Sequence, residues 1–303
     1  MQARRIVVTG ATGFIGRVLV RRAREAGHDV VPLSRTDGSL QGSYEDADVL
    51  ARLFERADAV VHLAARAHLG GTDSDFEVNV RATSSVARAA LAAGAGRLVL
   101  LSSIGVNGNV SRGKPFDEND PPAPVQAYAR SKLRCEQELA SVLRGSRTEW
   151  TIARPPLVYG PRAPGNFGQL VRAVERGWPL PVRSVRNRRT LVGVDNLSDA
   201  LLSCALAPQA AGQLFLLADG EDLSTPDIVR CIAQGLGRAD RMWSVPPSLL
   251  KLGAALVGRP RVAESLCDSL QVDASKARRL LHWTPQVRTR DGIVQAAAAW
   301  RSA

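Results

Sequence analysis

The stretch VVTGATGFIGR, residues 7–17, decides how this chain is read. Two valines lead into Gly10, Gly13 and Gly16, spaced G-x-x-G-x-x-G, and apolar residues at helical spacing follow. Such a pattern encodes a strand that enters a tight turn and opens a helix. Glycine permits the turn, lets a backbone approach a bulky anion, and lets helix and strand pack closely. The first helical turn then offers unbonded N–H groups to that anion. In isolation the spacing fits an ordinary strand–turn–helix equally well. At the head of a strand–helix–strand unit it points to a dinucleotide pyrophosphate, with Gly10, Thr12, Gly13, Phe14, Ile15 and Gly16 as its candidate contacts.

Working outward, the alternation continues. HDVVPL (28–33), ADAVVHLAA (57–65), GRLVLLSS (96–103) and EWTIARPP (149–156) read as strands. Residues 14–27, a short stretch near 46–56, 75–94 and 126–145 read as helices. Strands separated by helices make a parallel sheet covered on both faces. The expected fold class is therefore α/β, a doubly wound parallel sheet. Pro32 stands out within its strand, because proline donates no ladder bond. Past residue 156 the pattern loosens into turn-rich loops such as YGPRAPGN (159–166), with helices expected at 166–177, 195–208, 224–237, 273–281 and 289–301. We expect residues 1–156 to bind the nucleotide, with about 185–215 returning to that domain. Residues 157–303 would be mainly a smaller, mixed α/β substrate-binding part.

Composition narrows the classes. A chain of 303 residues with 45% apolar content buries a core without covalent staples. The four cysteines form no C-x-x-C pair, which reads as free thiols in a reducing, cytoplasmic setting. The four histidines show no ligand spacing, so no metal site is expected. The net charge of +11 comes mostly from arginines spread along the chain, without a nucleic-acid motif. Anionic small molecules are the simpler partners. The apolar stretch SLLKLGAALVG (248–258) is too short to span a bilayer and reads as a buried helix, with peripheral membrane contact as the alternative, so no stable membrane insertion is expected.

The chemistry lies further along. Tyr128 and Lys132 stand at i and i+4, on one face of a helix. An ammonium one turn away favours the phenolate, which makes the pair a proton donor–acceptor for a carbonyl or an alcohol. Ser103, at the end of the preceding strand, supplies a hydroxyl for the same oxygen, since strand ends in such sheets face the ligand crevice.

With these residues in hand, the whole chain resembles the extended short-chain dehydrogenases/reductases, in the NAD(P)-dependent epimerase/dehydratase group that works on nucleotide sugars. The marks are TGATGFIG (9–16), VVHLAA (60–65), NV (79–80), LLSSIGVNG (100–108), YARSK (128–132), ARPPLVYGP (153–161) and LHWTP (281–285). The resemblance implies a Rossmann-type fold with Ser103, Tyr128 and Lys132 as the catalytic trio, Tyr128 and Lys132 also contacting the cofactor, with Lys132 on the nicotinamide ribose. It implies that Leu63, Ala64 and Ala65 line the cofactor groove and that Asn79 supports it. It further implies that Asn166 and Arg189 hold the diphosphate of a UDP-sugar, and that a homodimer forms through 74–93 and 126–145. Plainer readings stay open: Asn79 as a backbone tie, Arg189 as a solvated strand arginine, His62 as a buried strand-end residue and Cys135 as packing.

Departures from the family pattern refine the expectation. Dehydratases of this group carry Thr-Asp-Glu where this chain has Ser103, Ile104 and Gly105, and neither Ile104 nor Gly105 can move a proton. Where an acid usually meets the adenosine ribose, this chain has Ser34 and Arg35. A carboxylate repels a 2′-phosphate, whereas a hydroxyl and a guanidinium accept one. The stretch leans toward NADP(H), with NAD(H) and an Arg35 stacked on adenine as the alternative. Asn107 stands where many epimerases have tyrosine. The expected function is oxidoreduction at C4 of a UDP-sugar, favoured as reduction of a 4-keto-6-deoxy-N-acetylhexosamine for surface polysaccharide. The alternative is a UDP-glucose or UDP-N-acetylglucosamine 4-epimerase with retained NAD. The distant alternative is a non-catalytic dinucleotide sensor.

Overall fold

The computed structural model describes residues 2–35, 43–67, 71–258 and 260–300. The first half alternates as expected. Its strands are β1 (Arg5–Thr9), β2 (Asp29–Leu33), β3 (Ala59–His62), β4 (Arg97–Leu101) and β5 (Glu149–Arg154). Its helices are α1 (Phe14–Glu25), α2 (Ala47–Leu53), α3 (Glu77–Ala92) and α4 (Ala127–Val142). The second half holds β6 (Leu157–Tyr159), α5 (Gly165–Glu175), β7 (Arg189–Gly193), α6 (Val194–Leu206), β8 (Gln213–Leu216), β9 (Asp222–Leu223) and α7 (Thr225–Leu236). It ends with α8 (Pro247–Leu256), α9 (Pro260–Cys267), α10 (Ser275–Leu281) and α11 (Thr289–Ala298).

Six parallel strands form the main sheet in the order β2-β1-β3-β4-β5-β8. Alternate residues of β1 face opposite layers. Ile6 and Val8 join Leu197, Leu201 and Phe215 in the core beneath α1 and α6. Val7 joins Val86, Leu98 and Leu139 beneath α3 and α4. This two-sided burial explains the near-continuous apolar strands. Pro32 pairs with Val8 from only one side, at the border of the described sheet, where a missing donor costs least. The chain grows from β1 to β2 on one side and returns to β3 on the other. The crevice at that reversal is where open α/β sheets bind ligands.

The later segments divide. β8 pairs with β5 in the main sheet, and α6 packs on α1, where Arg22 pairs with Asp199 and Arg21 Nη2 lies 2.7 Å from Asp195. A second sheet, β6-β7-β9, with α5, α7 and α11, forms a separate core around Phe167, Leu191, Ile232 and Ile293. Strands β6, β7 and β9 and helix α9 had no clear periodic signal in the sequence, being short and broken by Pro, Gly and Arg.

One expectation is overturned. The helix expected to be buried at 248–258 forms as α8 but buries none of its residues. Only Leu250 packs, partly, against the second core, while Leu249, Leu252 and Leu256 point outward at 56%, 58% and 81% exposure. Apolar composition marked the helix, and nothing in composition says whether a neighbour covers it.

Candidate active site

The phosphate loop is built as its glycines require. Gly10 adopts φ +70°, and a Cβ there would sit 2.8 Å from Ala64 N. A Cβ on Gly16 would lie 2.2 Å from Gly10 O, so Gly16 serves helix–strand contact and lines neither ligand cavity described below. Helix α1 begins with no side-chain cap and no acid in its first turn. Its N–H groups and positive dipole end are therefore available to an anion. The residues present fit a dinucleotide.

Two cavities flank this loop. The first, about 600 Å³, lies at the β1–β3 crevice and is lined by Gly10, Thr12, Gly13, Ser34, Arg35, Leu63, Ala64, Ala65 and Asn79. Ser34 is buried, and its hydroxyl shares a 2.6 Å hydrogen bond with Thr12. The Arg35 guanidinium stacks 5.6 Å over the Tyr44 ring. Asn79 acts as a backbone tie: its amide accepts from Arg66 N at 2.7 Å and donates to Arg66 O at 3.0 Å. It thereby fixes the segment that carries Leu63–Ala65. Tyr44, which sequence reading missed, accepts from Gly10 N at 3.1 Å and donates to Leu33 O at 2.8 Å. An aromatic between two turns gave no signal of that role.

The second cavity, about 330 Å³, brings together Phe14, Ile15, Ser103, Tyr128, Asn166 and Arg189. Phe14 and Ile15 thus stand on this side of the loop rather than in the first cavity. Its other walls include Gly105, Gly108, Pro155, Pro156 and Leu157, with Gln126, Glu264 and Ser265 as further polar groups that the sequence had not singled out.

Each reactive side chain is held by its surroundings. Ser103 caps the turn Ile104–Val106, its Oγ accepting from Gly105 N at 3.1 Å. That turn is fixed to β5, with Ser102 N on Ala153 O at 2.7 Å and Ile104 N on Pro155 O at 2.9 Å. Tyr128 lies in the first turn of α4, edge-on to buried Phe76 with centroids 5.8 Å apart. Lys132 is 2% exposed, beneath Tyr128 on the same helix face. Its charge reaches His62, whose pKa burial, first, and Lys132, second, push down to about 3. His62 stays neutral between Thr9 (2.8 Å) and Thr83 (3.4 Å), a buried strand-end residue.

Behind these groups runs a buried polar chain. Glu136, one turn beyond Lys132, pairs with Arg154 of β5 at 2.5 Å and accepts from Ser102. Arg154 also donates to Asn107 Oδ1 at 2.8 Å, and Asn107 Nδ2 donates to Asp117 O at 3.2 Å. Asn107, buried and fully engaged, therefore braces the Ser103 turn and lines neither cavity. The i+4 spacing of Glu136 after Lys132 was the available clue.

Arg189 lines the second cavity with no ion-pair partner among the described residues, and only the Asp268 backbone accepts from it, at 3.3 Å. Burial lowers its pKa, with the Asp268 charge opposing. A cation partly withdrawn from water beside a cavity favours an anionic ligand.

Comparison with known proteins agrees with this geometry. The family model described as NAD dependent epimerase/dehydratase matches residues 6–218. A UDP-glucose 4-epimerase of Vibrio cholerae is 35% identical over 318 residues, covering 98% of this chain and 96% of its own. A 2-alkyl-3-oxoalkanoate reductase of Stenotrophomonas maltophilia is 30% identical, covering 95% and 97%. The crystal structure of UDP-N-acetylglucosamine 4-epimerase from Bacillus cereus has a TM-score of 0.82 at 22% identity, covering 99% of this chain and 100% of its own, a likeness of fold.

Proposed function

The chain belongs to the NAD dependent epimerase/dehydratase family, and on that premise we propose that it is a UDP-sugar 4-epimerase. The observation that carries the reading is the second cavity, where one proton-moving phenol and one serine share the wall with a partly buried guanidinium that has no ion-pair partner among the described residues. The Vibrio cholerae epimerase, similar over nearly the whole chain, favours this reading over the reductase expected from the sequence.

In it, Arg189 and Asn166 bind the diphosphate. Ser103 holds the C4 oxygen, and Tyr128 takes its proton and later returns it. Lys132 keeps positive charge beneath the phenolate. NAD, when bound across the first cavity, supplies hydride acceptance and return at C4. Inversion needs the ring to present both faces of C4 to one site. Gly105, Gly108, Pro155, Pro156 and Leu157 suit that, being small or apolar and making no side-chain hydrogen bond to the ring. Dehydration lacks its acid and base at Ile104 and Gly105.

A reductase using NADP(H) is the second reading, supported by Ser34 and Arg35 at the first cavity. One assay separates them. Incubation with UDP-glucose or UDP-N-acetylglucosamine and catalytic NAD, followed by chromatography, should give the C4 epimer. No epimer, together with stoichiometric NADPH oxidation on a UDP-4-keto sugar that Arg35→Ala weakens, would replace the epimerase with the reductase.

A further inference from the structure

The outer face of α8 has no role in the reaction described above. Leu249, Leu252 and Leu256 recur at i, i+3 and i+7, a single apolar face, and all three are exposed. An apolar face of this kind marks an interaction site. On the adjoining α9, Val262 is also exposed. Two and three residues further on, Glu264 and Ser265 stand in the wall of the second cavity. The apolar edge therefore abuts the substrate site.

The chain entering α8 adds to this edge. Segment 241–243 lies beside segment 178–183: Leu180 N donates to Arg241 O at 2.8 Å, Trp243 N to Leu180 O at 3.0 Å, and Arg183 N to Trp243 O at 3.1 Å. Trp178 and Trp243 are more than half exposed. Arg176 stacks over the Trp178 ring at 5.4 Å, and the Arg241 guanidinium stands over Gly177. Arg176, Arg183 and Arg241 have no carboxylate partner among the described residues, unlike Lys251 on α8, which pairs with Asp268 at 2.5 Å. Exposed leucines, exposed tryptophans and unneutralised arginines on adjoining segments match the chemistry of a bilayer interface: acyl boundary, headgroup level and anionic headgroups.

We propose that this edge docks the protein on an anionic lipid surface, with the substrate cavity beside the membrane. A second copy of the chain is a poorer occupant, because a two-fold contact would bring the arginines of both copies together. Among the described residues no helix is long and apolar enough to cross a membrane, so the contact is superficial. The proposal stands whichever reaction the site performs.

The test is flotation of the full chain with vesicles of phosphatidylglycerol and, separately, of phosphatidylcholine. The protein should float with phosphatidylglycerol, far less with phosphatidylcholine, and lose binding as salt rises. The double variant Leu252→Glu, Leu256→Glu should bind at least about tenfold more weakly with an unchanged thermal midpoint. Three results would overturn the proposal. One is wild-type protein that does not float with phosphatidylglycerol. Another is a double variant that floats equally well. The third is a lipid-free wild-type dimer that the double variant converts to monomer, which would assign the face to a second copy.

Discussion

The two cavities are built in opposite ways. Around the first, the ligand-facing residues follow strand ends in chain order: Gly10 after β1, Ser34 after β2, Leu63 after β3. Around the second, Asn166, Arg189 and Glu264 come from three separated segments, joined by pairings such as Thr190 N to Leu270 O at 2.9 Å. Ser103 and Tyr128 stand at the junction, braced from behind by the Glu136–Arg154 pair. On the proposed reading the contrast is a division of labour: placement of the reacting atoms rests on buried contacts, whereas placement of the substrate rests on a few side chains that carry little of the fold.

The largest effect should fall at the junction. Tyr128→Phe should cut turnover about 10³-fold while cofactor and UDP-sugar affinities hold, by steady-state kinetics and calorimetry. A variant that instead raises KM alone would place Tyr128 with the substrate contacts and break the division. Next, Glu136→Gln should destabilise the fold by about 3 kcal/mol in urea unfolding, because Arg154 keeps a buried charge without its partner. A loss within about 0.5 kcal/mol would mean that the brace is dispensable.

On the other side of the comparison, Arg189→Met should raise KM for the UDP-sugar about 10²-fold, with the unfolding midpoint and NAD binding unchanged. Equal loss of stability would erase the distinction between the two regions. The smallest effect concerns pH. His62 remains neutral in the fold down to about pH 3, whereas the unfolded chain takes up a proton near 6.5. Its contribution to stability is therefore present above 6.5 and declines as pH falls. Between pH 7.5 and 5.5 the loss should be about 1.4 kcal/mol, and it should vanish in His62→Asn. An identical pH profile in that variant would remove His62 as the cause.

Legibility in the sequence follows the same divide. The first five strands and four helices were readable because each is long enough for its period to show, and Gly10, Ser103, Tyr128 and Lys132 sit at fixed offsets from their ends. Arg189 and Asn166 came from the family resemblance alone, since a single arginine in a five-residue strand has no periodic signature. Tyr44, Gln126 and Glu264 were missed because contacts between segments distant in sequence leave no local pattern. Asn107 was seen as a departure, but its partner Arg154 lies 47 residues away across the sheet, so its bracing role needed coordinates. The exposed face of α8 needed them too.

The brace through Glu136 and Arg154 has a consequence for how this protein can be altered. It fastens the helix of Tyr128 and Lys132 to the strand and turn of Ser103, so the reactive groups travel as one block. Asn166, Arg189 and Glu264 lie outside that block. On the proposed reading, substitutions at those separate positions would alter how tightly the substrate is held and leave the proton-handling machinery as inherited.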